Sequence, residues 1–196
     1  MKNFALVIAA VILFFSNSFS QISKGNWEIS FSGDAGEQSS TTEVTANNYH
    51  EQYDGTSQDY LIFALRAGYF VTNGLEIEPE FMETAVKNET PCFSLGANAE
   101  YNFQMNSRSV VPFILAGYGV SNAVPFSDVM LFNQTGDLKI GHWNLGAGIK
   151  FLVSKSVAIR VEYRHQQYSY DEDQYGVSIS NKLYYNKILF GVSLFL

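Results

Sequence analysis

The sequence predicts an all-β fold: eight antiparallel strands in an up-and-down barrel that crosses a membrane. Three observations lead there. Apolar residues recur with period two along most of the chain. Connections between the alternating segments are short and long by turns. The apolar stripes also hold more aromatic rings than a barrel of that bore can enclose.

Each strand shows the pattern in its own residues. Asn26–Gly33 sets Trp27, Ile29 and Phe31 on one face, and Tyr60–Val71 sets Leu61, Phe63, Leu65, Ala67 and Tyr69. "LEIEPEF" opposes Leu75, Ile77, Pro79 and Phe81 to Glu76, Glu78 and Glu80. "CFSLGANAEYNF" opposes Phe93, Leu95, Ala97, Ala99, Tyr101 and Phe103 to a polar set that includes Glu100. Val110–Ser121 is apolar on both faces, and Pro112, Ile114, Ala116 and Tyr118 are read as its outer set. "HWNLGAGIKF" places Trp143, Leu145, Ala147, Ile149 and Phe151 against Lys150, and "VAIRVEYRH" places Val157, Ile159, Val161 and Tyr163 against Arg160, Glu162 and Arg164. The closing strand, Lys182–Leu196, turns Ile188, Phe190, Val192, Leu194 and Leu196 outward and Gly191, Ser193 and Phe195 inward. Its backbone is expected to pair with the strand near Trp27.

Thr72–Gly74, Gln104–Ser109 and Val153–Ser156 are tight connections, and Asn73-Gly74 is a strong hairpin signal. Asp34–Asp59, Glu83–Pro91, Asn122–Leu138 and Tyr168–Asn181 are long and polar. All tight turns therefore lie at one end of the barrel and all long loops at the other.

The first twenty residues, "MKNFALVIAAVILFFSNSFS", combine Lys2, an apolar run from Phe4 to Phe15 and small residues before a cut after Ser20. This is the anatomy of a secretory signal, and the run is too short for a membrane-spanning helix, which needs about 20 residues. The expected division is a signal peptide over 1–20 and a barrel domain over 21–196. A net charge of −7 without a Lys/Arg cluster argues against nucleic acid as a partner. Cys92 is the one cysteine, which excludes an intramolecular disulfide.

With rings facing lipid, the other face becomes the lumen. The expected lumen charge network is Arg66, Glu76, Glu78, Glu80, Glu100, Lys150, Arg160, Glu162 and Arg164. Buried charges must pair, so a plug that fills the bore is favoured over a conducting path. No cofactor motif is present. His50, His142 and His165 are scattered without His-x-His spacing, so no metal site is expected. The acidic residues Glu37, Glu43, Glu51, Asp54 and Asp171–Asp173 read as solvated loops, with divalent cations at a lipopolysaccharide surface as the alternative.

The order of these motifs resembles the small eight-stranded outer-membrane β-barrels of the OmpA/OmpX type. "VPFILAGYGV" is similar to their Pro-aromatic-x-x-x-Gly-x-Gly strand, and "VAIRVEYRH" to their penultimate strand. Gly191, Leu194, Phe195 and Leu196 are similar to the C-terminal assembly signal, which usually ends on an aromatic residue; here Leu196 is last. The resemblance implies residence in the cell outer membrane of a diderm bacterium, among outer-membrane lipids and lipopolysaccharide. It also implies biogenesis through the barrel-assembly machinery and a non-enzymatic envelope or adhesion role, with a surface ligand bound through four long loops. A lipid A-modifying enzyme is the alternative, but His165 is followed by Gln166-Gln167 rather than the deacylase His-x-Ser. "GNW" at Gly25–Trp27 resembles the Gly-x-Trp of lipocalins, soluble carriers of apolar ligands; that second alternative lacks paired cysteines and a C-terminal helix.

Overall fold

A computed structural model describes residues 22–38, 41–46, 49–54, 58–87, 90–104, 109–125, 140–174 and 177–196. The expected leader and the loop centred on residues 126–139 lie outside the described residues.

Eight antiparallel strands form the wall: β1 (Trp27–Gln38), β4 (Gln58–Phe70), β5 (Leu75–Val86), β6 (Cys92–Asn102), β7 (Val110–Ser121), β8 (Ile140–Leu152), β9 (Val157–Gln174) and β10 (Val177–Phe195). Two further strands, β2 (Thr41–Ala46) and β3 (Tyr49–Asp54), form a hairpin between β1 and β4. Each wall strand pairs with the next, and β1 pairs with β10 from Glu28↔Phe195 to Gly33↔Phe190. The sheet is therefore closed, which leaves the wall no unpaired edge for lipid to face.

Alternation fixes which side faces out. In β6 every residue from Cys92 to Asn102 on the even parity is buried except Gly96, which is partly exposed, while Phe93, Leu95, Ala97, Ala99 and Tyr101 are exposed. β7 resolves the same way, with Ile114, Ala116 and Tyr118 exposed and Val111, Phe113 and Leu115 buried. Aromatic rings gather near both rims of the outer surface. Trp27 and Tyr69 pack at 5.1 Å at the tight-turn end, and Phe81 and Phe93 at 6.1 Å nearer the other. Such girdles mark the two interfaces of a bilayer.

Thr72–Gly74 and Val153–Ser156 turn tightly as the sequence predicts, whereas residues 105–108 of the second connection lie outside the described residues. At the first, Gly74 has φ +95°, and a Cβ there would sit 2.8 Å from the Asn102 carbonyl oxygen, so glycine is required on both counts.

The long connections depart from expectation. The segment Asp34–Asp59, read as one loop, extends β1 to Gln38 and adds the β2–β3 hairpin, whose β2 pairs with β10 from Tyr184↔Thr41 to Ile179↔Ala46. Likewise β5 continues to Val86, β9 runs 18 residues and β10 runs 19. Glu43, Glu51, Asp54 and Asp171–Asp173 thus belong to strands rather than loops, as does His50. These stretches are mostly polar, with only short alternations such as Val177-Ser178-Ile179-Ser180, so little in them announces a strand.

Candidate functional site

The barrel interior is the one place where the described chain concentrates chemistry. All nine charged residues expected in the lumen are buried there. Strand parity is the cause: each occupies the inward position of its strand. Arg66 is level with Glu80, while Glu76 faces Glu100 and Lys150 faces Arg160 across the ladders, so the remaining ion pairs form across the bore or along β9.

Two groups of ion pairs result. Toward the long-loop end, Glu80 accepts from Arg66 Nε at 2.5 Å and from Arg164 Nη1 at 2.7 Å. Glu162 accepts from Arg164 Nε at 2.6 Å and from Arg160 Nη2 at 2.8 Å. Toward the tight turns, Lys150 Nζ contacts Glu28 Oε2 at 2.5 Å, Glu100 Oε1 at 2.7 Å and Glu76 Oε2 at 3.4 Å. Arg160 joins the groups, reaching Glu100 Oε2 at 2.6 Å and Glu78 Oε1 at 3.1 Å. Its guanidinium also lies 4.3 Å from the centre of the Phe113 ring. That ring comes from β7, whose described inward positions carry no charge.

Apolar clusters stand on either side of this charged zone. Ile22, Phe70, Val111, Ala158 and Phe195 pack together at the tight-turn end. Val86, Val124, Tyr168, Leu183 and Tyr185 pack together at the other.

Three further residues belong to the lumen that the sequence reading passed over. Glu28 alternates with Trp27 and Ile29, so its inward parity was legible. Lys187 alternates with Ile188 but forms no ion pair among the described residues. It donates to Gln166 Oε1 at 2.5 Å and approaches Met82 Sδ at 3.1 Å. Phe113 was visible only as one more ring on an ambiguous strand.

Glycine shapes the wall between these groups. Gly68 on β4 faces the lumen opposite Glu28, and a Cβ there would overlap the Glu76 carboxylate. The β4–β5 ladder is interrupted beside it, with recorded partners resuming at Arg66↔Glu80 and Tyr69↔Ile77 on either side. Pro79 lies in that gap and has no N–H to donate. Gly68→Ala should cost about 1–3 kcal/mol by overpacking. Gly36→Ala, whose Cβ would meet Tyr60 only at ordinary contact distance, should cost far less. Urea midpoints of the micelle-refolded variants check both.

The remaining sequence candidates are less active. Cys92 is buried, with Sγ 3.0 Å from Ser121 Oγ and 3.1 Å from the Ala123 carbonyl oxygen. His142 is buried and stacks on Tyr168 at 4.8 Å. His165 faces outward between Trp143 and Tyr184, with Nδ1 2.9 Å from Asn186 Oδ1. None of these described partners is a carboxylate. At the outer rim, exposed Lys87 donates to Asp59 at 2.9 Å, which raises the lysine pKa; a pair this wet adds little stability. Gly191, Leu194, Phe195 and Leu196 lie at the β10 end of the seam, where Phe195 is fully buried and Leu196 faces out.

A family model described as the outer membrane protein beta-barrel domain matches residues 6–194. Neisserial surface protein A is similar in fold at 15% identity and a TM-score of 0.54, over 87% of this chain and 99% of that one. Weaker likenesses are the N-terminal barrel domain of Pseudomonas aeruginosa OprF (15% identity, TM-score 0.49, 88% and 98% covered) and Ail of Yersinia pestis (16%, 0.41, 88% and 99%). No curated protein sequence matches the chain.

Proposed function

The chain belongs to the outer membrane protein β-barrel domain family, and on that premise we propose that it is a non-enzymatic, non-conducting barrel that serves envelope integrity and surface contact. Its place is the cell outer membrane. In this reading residues 1–20 are the export signal, the barrel-assembly machinery inserts the mature chain, and lipopolysaccharide surrounds the outer half.

The observation that carries the closed-lumen reading is the filling of the bore. Large side chains from opposite walls, including Arg66, Arg160, Arg164 and Lys150, meet in the centre with essentially no exposed surface. The apolar clusters at both ends support it further. Planar-bilayer recordings of the purified barrel should show no large, stable openings at moderate voltage. Sustained conductance of porin size would overturn the reading.

Surface contact is supported by the length of β9 and β10. A tilted strand crosses a bilayer in about 9–11 residues, so strands of 18 and 19 residues carry the sheet well beyond it. The β2–β3 hairpin pairs on β10 there and broadens that projection. The sequence-level alternative of an apolar-ligand carrier fails on the interior, which is ionic, while Phe190, Leu61 and Ile114 face outward. A lipid-modifying role for His165 has no support in its surroundings, and lipid A mass spectra should be the same with and without the protein.

A further inference from the structure

Charge is unevenly shared along the lumen. Toward the long-loop end, Glu80 and Glu162 are matched by Arg66 and Arg164. Toward the tight turns, Glu28, Glu76, Glu78 and Glu100 share only Lys150 and Arg160. At this end two carboxylates are in excess where none is open to bulk solvent, and buried charge of that kind needs a counter-charge.

The excess is localised to particular atoms. Glu28 Oε1, Glu76 Oε1 and Glu78 Oε2 accept no hydrogen bond, although all three residues are fully buried. One carboxylate oxygen from each of Glu28, Glu76 and Glu78 lies within 4.8 Å of the other two. Asn102, whose Nδ2 reaches Glu76 Oε2 at 3.4 Å, has its own Oδ1 unpartnered as well. Gly68 makes the gathering possible, because β4 separates β1 from β5 and any side chain there would fall on the Glu76 carboxylate.

We propose that Glu28, Glu76 and Glu78 form a buried site for one hard divalent cation, calcium in preference to magnesium. The donors are all oxygen, which suits a hard ion. One divalent charge cancels the two excess carboxylates. Coordination geometry selects the metal. Calcium takes oxygen donors at about 2.3–2.6 Å in a flexible arrangement, whereas magnesium at about 2.0–2.1 Å demands a near-ideal octahedron. Three carboxylates fixed by the register of a closed wall suit the more permissive ion. The inference rests on the barrel wall alone and is independent of the surface-contact reading.

The test is to refold the purified barrel in micelles under chelator, in calcium chloride or in magnesium chloride. Bound metal is then measured by elemental mass spectrometry after gel filtration, and the thermal midpoint is recorded. One calcium per chain should be retained. The midpoint should rise by about 5–10 °C at calcium a hundredfold above its dissociation constant, with a smaller rise in magnesium. Glu76→Gln and Glu78→Gln should each abolish retention and the calcium-dependent shift. A triple change of Asp171→Asn, Glu172→Gln and Asp173→Asn should leave both intact. Should either lumen variant fail to refold, the metal content of the unaltered chain still decides. A metal-free chain with the same midpoint in calcium and chelator would overturn the site. So would a midpoint that Glu76→Gln leaves unchanged or raises in calcium, the signature of carboxylates that simply hold protons.

Discussion

Arg160→Met should unfold the barrel or cost it about 3–5 kcal/mol, the scale of breaking a buried ion pair by removing one partner. Arg160 is fully buried and is the cation shared by both halves of the lumen. It lies 2.6 Å from Glu100, 2.8 Å from Glu162, 3.1 Å from Glu78 and 3.6 Å from Glu28. Methionine fills much of the volume but leaves those carboxylates to repel one another without water. Arg160→Lys should fall between, since it keeps the charge but loses the planar fork that reaches several acceptors at once. Lys187→Met is the informative contrast. That lysine is just as enclosed, but its described partners are an amide oxygen and a thioether. Replacing it removes the cost of a buried ammonium along with its bonds to Gln166 and Met82, so its stability should change little. Urea midpoints in micelles, together with the heat-dependent shift in gel migration, read all three. Equal losses in Arg160→Met and Lys187→Met would mean that the lumen responds to lost volume and not to lost charge pairing.

That contrast also shows how far the sequence carries. Parity was legible wherever one face must meet lipid, as in Cys92–Asn102, because the bilayer forces an apolar residue at every second position. The same logic places Arg66, Glu80, Arg160 and their neighbours inside. It fails at Thr41–Ala46 and Tyr49–Asp54, whose six-residue segments carry too few apolar residues to mark one face. It fails again at the acidic end of β9, Asp171–Gln174, and at the start of β10, where Val177-Ser178-Ile179-Ser180 alternates over too few residues to stand out. Partners within the lumen were the other illegible part. Glu28 meets Glu76 and Glu78 only because β4 pairs with β1 on one side and β5 on the other and because Gly68 leaves the intervening position open. Parity says that a residue faces inward; shear, closure and a missing Cβ decide what it meets there.

Removing Leu194–Leu196 should abolish assembly into the outer membrane, and the seam explains half of that loss. Leu196 and Trp27 exchange backbone hydrogen bonds at 2.9 and 3.2 Å, and Phe195 N–H donates to the Ser156 carbonyl at 3.0 Å. The Phe195 ring is fully buried with Ile22, Phe70, Val111 and Ala158, and Lys150 Nζ lies 5.9 Å from its centre. Phe195→Ala should therefore lower stability in micelles by about 3–5 kcal/mol, as large-to-small changes in a packed site do. Leu196 differs: it faces outward, is 36% exposed, and contributes its backbone to the closure. Leu196→Ser keeps those backbone bonds and should change the micelle midpoint by less than about 1 kcal/mol. If the terminal outward residues are also what the assembly machinery reads, the same variant should still reach the outer membrane poorly in cells, as measured by membrane fractionation. A Leu196→Ser chain that assembles at full level would leave the terminus with a structural role only. Separating the two assays matters because β10 closes the wall on β1, so a defect seen only in cells identifies recognition, whereas a defect seen in both identifies the seam.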